Sequence, residues 1–438
     1  MNIVALASAY GVGSISIVRL SGENAYDLAI NLCKKPLTPR YAHLRKLYCE
    51  NMVFLDEAIV IYYKAPFSFT GEDVVEFQTH GGVVVANLII DELLRLGARV
   101  ANPGEFSKRA FLNGKMDLVK AESIQSLINA RSEGAARILA RTMNGELSVF
   151  VNSLRDELIK ILAYTETCID YADDDLPSDI LSSSKDLLLN SYKQLEHIIN
   201  ISNSKKGLID GYKVAIIGRP NVGKSSILNS LLHYERAITS ETAGTTRDTI
   251  EEQIKFGSHL VRIIDTAGIR DEFDSSIEAT GIEYSKRAAR EADIIFCVFD
   301  SSQKASLEDR QILEFISNLN KKVIYVLNKS DLEFKFDINL DAVLVSAKLD
   351  STPLSKELES YLNSQDTNDI MLSSNRQIEA SRLANEAIKN AIGLLNESEL
   401  ELFAYELNTA LKHIGSITKP MENSELLDKM FSSFCLGK

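Results

Sequence analysis

Gly218-Arg-Pro-Asn-Val-Gly-Lys-Ser225 follows the apolar run Lys213 to Ile217 and precedes Ile227, Leu228 and Leu231 at helical spacing. A buried strand therefore turns into a helix here, through a turn that contains two glycines. Glycines let consecutive backbone N–H groups converge on an anion, and the N-terminus of the following helix adds positive partial charge. The stretch reads as a phosphate loop. Lys224 would reach the β- and γ-phosphates of a nucleotide and the Ser225 hydroxyl would ligate Mg²⁺. Asn221, Val222, Gly223 and Ser226 belong to the same turn.

Four further stretches follow in the order a GTPase requires. Ala243-Gly-Thr-Thr-Arg-Asp248 is a polar loop flanked by β-like segments, where a threonine can close the Mg²⁺ shell when a γ-phosphate is present. Asp265-Thr-Ala-Gly268 ends the apolar run Leu260 to Ile264; Asp265 would hold Mg²⁺ through water and the Gly268 N–H would meet the γ-phosphate, with Thr266 and Ala267 between them. Asn328-Lys-Ser-Asp331 follows Val323 to Leu327. A carboxylate at Asp331 accepts from guanine N1–H and N2–H₂, a pattern adenine lacks, and Lys329 belongs to the same reader. Ser346-Ala-Lys348, with Ala347 at its centre, follows Ala342 to Val345 and would offer a backbone donor to guanine O6. The five stretches together predict GTP as substrate.

Ras-like GTPases place a glutamine after the Asp-Thr-Ala-Gly run to orient the attacking water. This chain has Ile269, which cannot hold water, so hydrolysis needs another polar group, and Asp271, Glu272, Asp274 and Glu278 lie just beyond. Arg247 is a candidate arginine finger in cis or, equally, a loop-ordering arginine.

With 438 residues the chain exceeds one ordinary core, and about three domains are expected. Its 45% hydrophobic and 25% charged content is that of a soluble globular protein. It has no apolar run of membrane-spanning length and no signal-like start, so a cytoplasmic location is expected. Cys33, Cys49, Cys168, Cys297 and Cys435 make no CxxC pair. A formal net charge of −13 argues against a surface that binds nucleic acid throughout.

Residues 1–117 read as mixed α/β, with strands at Ile3 to Ala7, Ile15 to Leu20, Ala58 to Tyr63 and Val74 to Gln78, and a helix opened by His80-Gly-Gly82. Leu118 to about Tyr171 has no proline and carries apolar residues at three- and four-residue spacing, which predicts a long amphipathic helix. Helix resumes to about Ser204, strands alternate with helices from Gly207 to Gln365, and helix returns from about Ser373. The expected architecture is multidomain: an α/β N-terminal domain (1–117), and an all-α helical domain (118–206 and 373–438) interrupted by an inserted Ras-like doubly wound α/β GTPase domain (207–372).

Asparagine before Val-Gly-Lys-Ser, the Gly-Thr-Thr-Arg-Asp loop, Ile269 and the terminal Cys435-Leu-Gly-Lys438 together resemble the MnmE, or TrmE, family of tRNA modification GTPases. The resemblance extends to Ala65-Pro-Phe-Ser-Phe-Thr-Gly-Glu-Asp73, His80-Gly-Gly82 and the run from Pro103 to Asp117, which match that family's folate-binding domain. It implies GTPase domains that dimerise across their nucleotides around K⁺, with Asn221 as a side-chain ligand and the Ser240-Glu241-Thr242-Ala243-Gly244-Thr245 loop as a source of carbonyls, Ser240, Thr242 and Thr245 among them. It also implies that Thr246 joins Ser225 on Mg²⁺ and that Glu278 orients water, although this chain has one extra residue between Gly268 and Glu278.

For the N-terminal domain the resemblance implies a homodimer that binds a tetrahydrofolate derivative, 5-formyl or 5,10-methylene, through Arg19, Glu76 and Lys115, with Lys438 reaching the same pocket. Read by themselves, Arg19 and Lys115 are ordinary surface charges and Glu76 is a strand-face charge. Cys435 is a candidate nucleophile or, equally, a packed small side chain. The implied function modifies C5 of the tRNA wobble uridine with aminomethyl-type groups, together with the flavoprotein MnmG and without a membrane. The alternative is a ribosome-assembly GTPase, against which the charge and the folate-like motifs speak.

Overall fold

The computed structural model of the chain describes residues 1–170, 179–234, 252–264, 286–365, 368–395, 399–419, 424–432, 434, 435 and 437. It is multidomain, and its backbone falls into two compact units. One comprises Met1–Gln125, Thr142–Tyr192 and Glu379–Lys438; the other comprises Ser126–Arg141 and Lys193–Ile378.

In the first unit β1 (Ile3–Leu6), β2 (Ile15–Ser21), β3 (His43–Tyr48), β4 (Phe54–Tyr63), β5 (Val74–His80) and β6 (Arg99–Val100) form a sheet of order β3-β4-β5-β2-β1-β6. All pairings are antiparallel except β1 with β6. Alternation sets the two faces. Val18, Leu20, Val60, Val75 and Phe77 are buried with Leu32, Ile89 and Leu93 of the helices Ala25–Cys33 and Val83–Arg95. The alternate residues Ile17, Arg19, Ile61, Glu76 and Gln78 are only half-buried, and the register sets Arg19 directly opposite Glu76. This is the face on which chemistry can be presented.

Leu118 to Asp170 is not one helix. It forms Leu118–Ile128, Glu133–Met143 and Glu146–Asp170. Gly145 at φ 102° interrupts the last junction, and the Ser132 hydroxyl accepts from Ala135 N at 3.2 Å to start the middle helix. Periodicity alone could not find these breaks, because the apolar spacing continues through them. On Glu146–Asp170 the residues Leu147, Val151, Leu154, Leu158, Ile161, Thr165 and Cys168 are buried at alternating spacings of four and three. Phe403, Leu407, Ala410, Ile414 and Ile417 repeat that spacing on the helix Leu400–Thr418, which packs against it. Each such aliphatic side chain contributes about 1.5–3 kcal/mol on burial.

The second unit holds β7 (Tyr212–Ile217), β8 (Glu252–Phe256), β9 (His259–Ile263), β10 (Ile294–Asp300), β11 (Lys322–Asn328) and β12 (Ala342–Leu344), in the order β12-β11-β10-β7-β9-β8. Only β8 runs antiparallel to its neighbour. Every residue of β10 is buried, as expected of a parallel strand covered on both faces. Val214, Ile216, Phe296 and Val298 pack on one side with Ile227 and Leu231; Ala215, Ile217, Ile295, Cys297 and Phe299 pack on the other with Ala288, Ala289 and Ile316. This is the doubly wound sheet. The phosphate loop leaves the C-terminal end of β7, where such sheets bind ligands. Among the described residues no helix is long and apolar enough to cross a membrane.

Candidate functional site

The loop's two glycines are required by what surrounds them. A Cβ on Gly218 would lie 2.4 Å from the Val298 carbonyl oxygen, and one on Gly223 would lie 2.3 Å from Asn328 Nδ2. Gly223 has φ 97°, and Asn221, at φ 64°, also sits in the left-handed region, which asparagine tolerates better than most residues. Val222 is fully buried and anchors the turn, whereas Asn221 is exposed. The helix Lys224–Tyr234 begins immediately, with Ile227, Leu228 and Leu231 in the core. Lys224 is 8% exposed and its Nζ donates to the Arg219 carbonyl at 3.0 Å. Ser225 is half-buried and Ser226 exposed in the first turn, so the Ser225 hydroxyl suits a Mg²⁺ ligand.

The stretch Asn328–Asp331 is tied to this loop by side chains. Asn328 Nδ2 donates to the Val222 carbonyl at 2.8 Å, and its Oδ1 accepts from Ala347 N at 3.0 Å. One buried amide therefore spans three motifs. Lys329 Nζ donates to the Asn221 carbonyl at 2.8 Å and to Asp300 Oδ2 at 2.7 Å. Burial opposes ionisation of Asp300, but the Lys329 ammonium and the Ser302 N–H and O–H outweigh it and hold the carboxyl below its usual range. Asp331 is exposed and accepts from Ser346 Oγ at 2.7 Å; Lys348 is also exposed. Sequence reasoning missed Asp300. Its one signal was a carboxylate ending the otherwise apolar run from Ile294 to Phe299.

In the N-terminal unit Arg19 Nε donates to Glu76 Oε1 at 2.9 Å, with both side chains about one-sixth exposed (16% and 15%). Arg19 Nη1 donates to the Gly437 carbonyl at 3.2 Å, and its guanidinium lies 5.3 Å from the Phe69 ring centroid and 5.8 Å from that of Phe106. The Lys115 stem crosses Gly71, where a Cβ would meet Lys115 Cγ at 3.2 Å. The Ser68–Glu72 turn beneath it is fixed by Ser21 Oγ to Glu72 Oε2 at 2.8 Å and Arg109 Nη1 to Glu72 Oε2 at 2.9 Å. Burial disfavours ionised Glu105, yet Arg99, the Asn102 N–H and Arg109 prevail and hold its carboxyl at about 2. It therefore stays ionised at neutral pH and bridges both guanidinium groups. Cys435 is half-buried with its backbone pinned on both sides: its N–H donates to Gln125 Oε1 at 3.3 Å and its carbonyl accepts from Gly104 N at 3.3 Å.

Arg19, Glu76 and the C-terminal tail thus meet, as do the phosphate loop, Asn328, Lys329, Asp331 and Ser346–Lys348. Ser240, Glu241, Thr242, Ala243, Gly244, Thr245, Thr246, Arg247, Asp265, Thr266, Ala267, Gly268, Ile269, Glu278 and Lys438 lie outside the described residues.

Two family models match: that of the MnmE helical domain over residues 118–435 and that of the GTP-binding protein TrmE N-terminus over residues 2–115. The tRNA modification GTPase MnmE of Campylobacter fetus is 97% identical over 100% of this chain and 100% of its own. That of Campylobacter concisus is 61% identical over 100% of this chain and 99% of its own, and that of a Sulfurovum strain is 52% identical over 100% and 98%.

Proposed function

The chain belongs to the MnmE (TrmE) family of tRNA modification GTPases, and on that premise we propose a K⁺-stimulated GTP hydrolase whose turnover drives wobble-uridine modification with a folate-borne one-carbon unit. The observation that carries the GTPase part is the double tie from Asn328 and Lys329 to the Val222 and Asn221 carbonyls, which makes base reader and phosphate loop one rigid receptor. Guanine is selected by Asp331, the phosphates are held by the loop and Lys224, and Ser225 with Thr246 hold Mg²⁺. A cation among the phosphates offsets charge that accumulates in the transition state. Asn221 supplies its protein amide, with Ser240, Thr242 and Thr245 on the facing loop, and Glu278 orients the water in place of the absent glutamine.

Turnover of GTP is expected to rise by on the order of tenfold or more in KCl relative to NaCl at equal ionic strength. Equal rates would remove the K⁺ assignment.

Arg19, Glu76, Lys115 and Lys438 form the folate site in this reading. A guanidinium or ammonium suits the carboxylates of the glutamyl tail, and the Glu76 carboxylate suits the N–H donors of a pterin. Cys435 stands beside it as nucleophile or packing residue. The working assembly is a homodimer with an MnmG-type flavoprotein, acting on tRNA in the cytoplasm, and the domain division is 1–117, 118–206, 207–372 and 373–438. Calorimetry with 5-formyltetrahydrofolate should show binding to the full chain and about tenfold or greater loss without Gly437-Lys438, because Arg19 loses its carbonyl partner. No heat with the full chain would discard the folate site.

A further inference from the structure

The phosphate loop has a second set of contacts that no nucleotide motif accounts for. Arg219, the loop's second residue, directs Nη2 to Gln303 Oε1 at 2.7 Å, and its Nε lies 3.4 Å from Asp309 Oδ2 as an ion pair without hydrogen-bond alignment. Asp309 is 1% exposed. Its Oδ2 accepts from Ser306 N and Ser306 Oγ, both at 2.9 Å, while Ser306 Oγ accepts from Asp309 N at 3.1 Å, a capping box that opens the helix Leu307–Ser317. Asp309 Oδ1 is buried with no hydrogen-bond partner. Capping asks only for an acceptor, which a neutral amide supplies, so a buried and half-satisfied carboxylate costs more than the cap requires. What its charge does engage is Arg219.

Arg219 in turn reaches the reacting end of the loop, because its carbonyl takes the Lys224 ammonium at 3.0 Å. Two residues on, the Asn221 carbonyl is held by Lys329, itself paired with buried Asp300. Both aspartates lie on the stretch 300–309 that leaves β10, and each acts on the loop through one cation.

We propose that Asp309, assisted by Gln303, is a positioning residue for the phosphate loop: its charge holds Arg219 and thereby fixes the Arg219–Asn221 backbone that sets Lys224 and presents the Asn221 amide. The proposal rests on the GTPase reading and adds to it a connection that carries no nucleotide motif. The test is stopped-flow dissociation of N-methylanthraniloyl-GDP, with the K⁺ concentration for half-maximal turnover as second readout, on full-length wild type, Asp309→Asn, Gln303→Ala, Arg219→Met and the Arg219→Met/Asp309→Asn pair. Asparagine keeps an acceptor for Ser306, removes the charge and puts an NH₂ in place of the other oxygen. Dissociation is expected to quicken about tenfold in Asp309→Asn and about threefold in Gln303→Ala, with more K⁺ needed in both. The double variant should be no faster than the faster single one, since the two groups act as a unit. Unchanged dissociation with a lowered melting temperature would make Asp309 a helix cap only and overturn the proposal, as would additive effects in the double variant. Should Asp309→Asn fail to fold, Gln303→Ala, outside the capping box, decides alone. A wild type that retains no labelled GDP would overturn the GTPase reading itself, and the clamp with it.

Discussion

Asp331→Asn is expected to weaken GTP binding by about a hundredfold or more while raising affinity for xanthosine triphosphate. The carboxylate offers two acceptor oxygens to guanine N1–H and N2–H₂. An asparagine replaces one of them with an NH₂ that faces another donor. One charge-assisted hydrogen bond, worth about 1.5–3 kcal/mol, becomes a clash between donors and the other loses its charge assistance, which together correspond to about two orders of magnitude at about 1.4 kcal/mol per factor of ten. Xanthine carries an oxygen where guanine carries its amino group, so the new NH₂ gains a partner there. The Ser346 hydroxyl, 2.7 Å from Asp331 Oδ1, can donate to either side chain and keeps the loop in place. Competition titrations with the two triphosphates measure the switch. An unaltered preference for GTP would move base selection away from Asp331.

The second large effect is expected at Gly223. Alanine there must adopt φ near 97° and place its methyl 2.3 Å from Asn328 Nδ2. Asn328 cannot step aside cheaply, because its amide is bonded at both ends, to Val222 and to Ala347. Backbone strain of about 1–3 kcal/mol adds to the loss of those bonds, giving about 3 kcal/mol or more. Guanine-nucleotide binding should fall below detection in fluorescence titration, with a lowered melting temperature for the unit that holds the loop. Gly82→Ala is the matched control: nothing lies within 4 Å of its Cβ and its backbone is extended, so it should melt like wild type. A Gly223→Ala protein that binds GDP normally would show that the loop has another stable packing.

The nucleotide half of the chain was the more legible, for a physical reason. Parallel strands buried on both faces read as continuous apolar runs, and phosphate chemistry demands glycine and lysine at fixed offsets from them. β7, β9 and β11 stand where their runs predict. Strand β3, His43–Tyr48, escaped notice because three of its six residues are His, Arg or Lys, which leaves it no apolar run. The long helix expected from Leu118 was divided by Gly145 and a serine cap, which hydrophobic spacing does not register. Arg19 opposite Glu76 depends on strand register, and its bond to Gly437 on tertiary docking; only the family resemblance drew those residues together beforehand. Asn328 was chosen as a base reader, yet the structure also makes it the brace between three loops. That second role belongs to the folded arrangement and has no motif of its own.

The bond from Arg19 to Gly437 joins positions 418 residues apart, and the helix Leu400–Thr418 closes on Glu146–Asp170 across the stretch of chain that holds β7 to β12. During synthesis, therefore, the N-terminal sheet and the helix Glu146–Asp170 leave the ribosome well before the partners that complete them. The nucleotide-binding unit, whose last residue is Ile378, has all its parts sooner. Domains tend to fold as units while the chain emerges, and distant pairings come late. The Arg19–Gly437 contact is thus a late product of translation. A message cut short within its last codons would yield a protein with an intact nucleotide-binding unit and no Arg19–Gly437 bond.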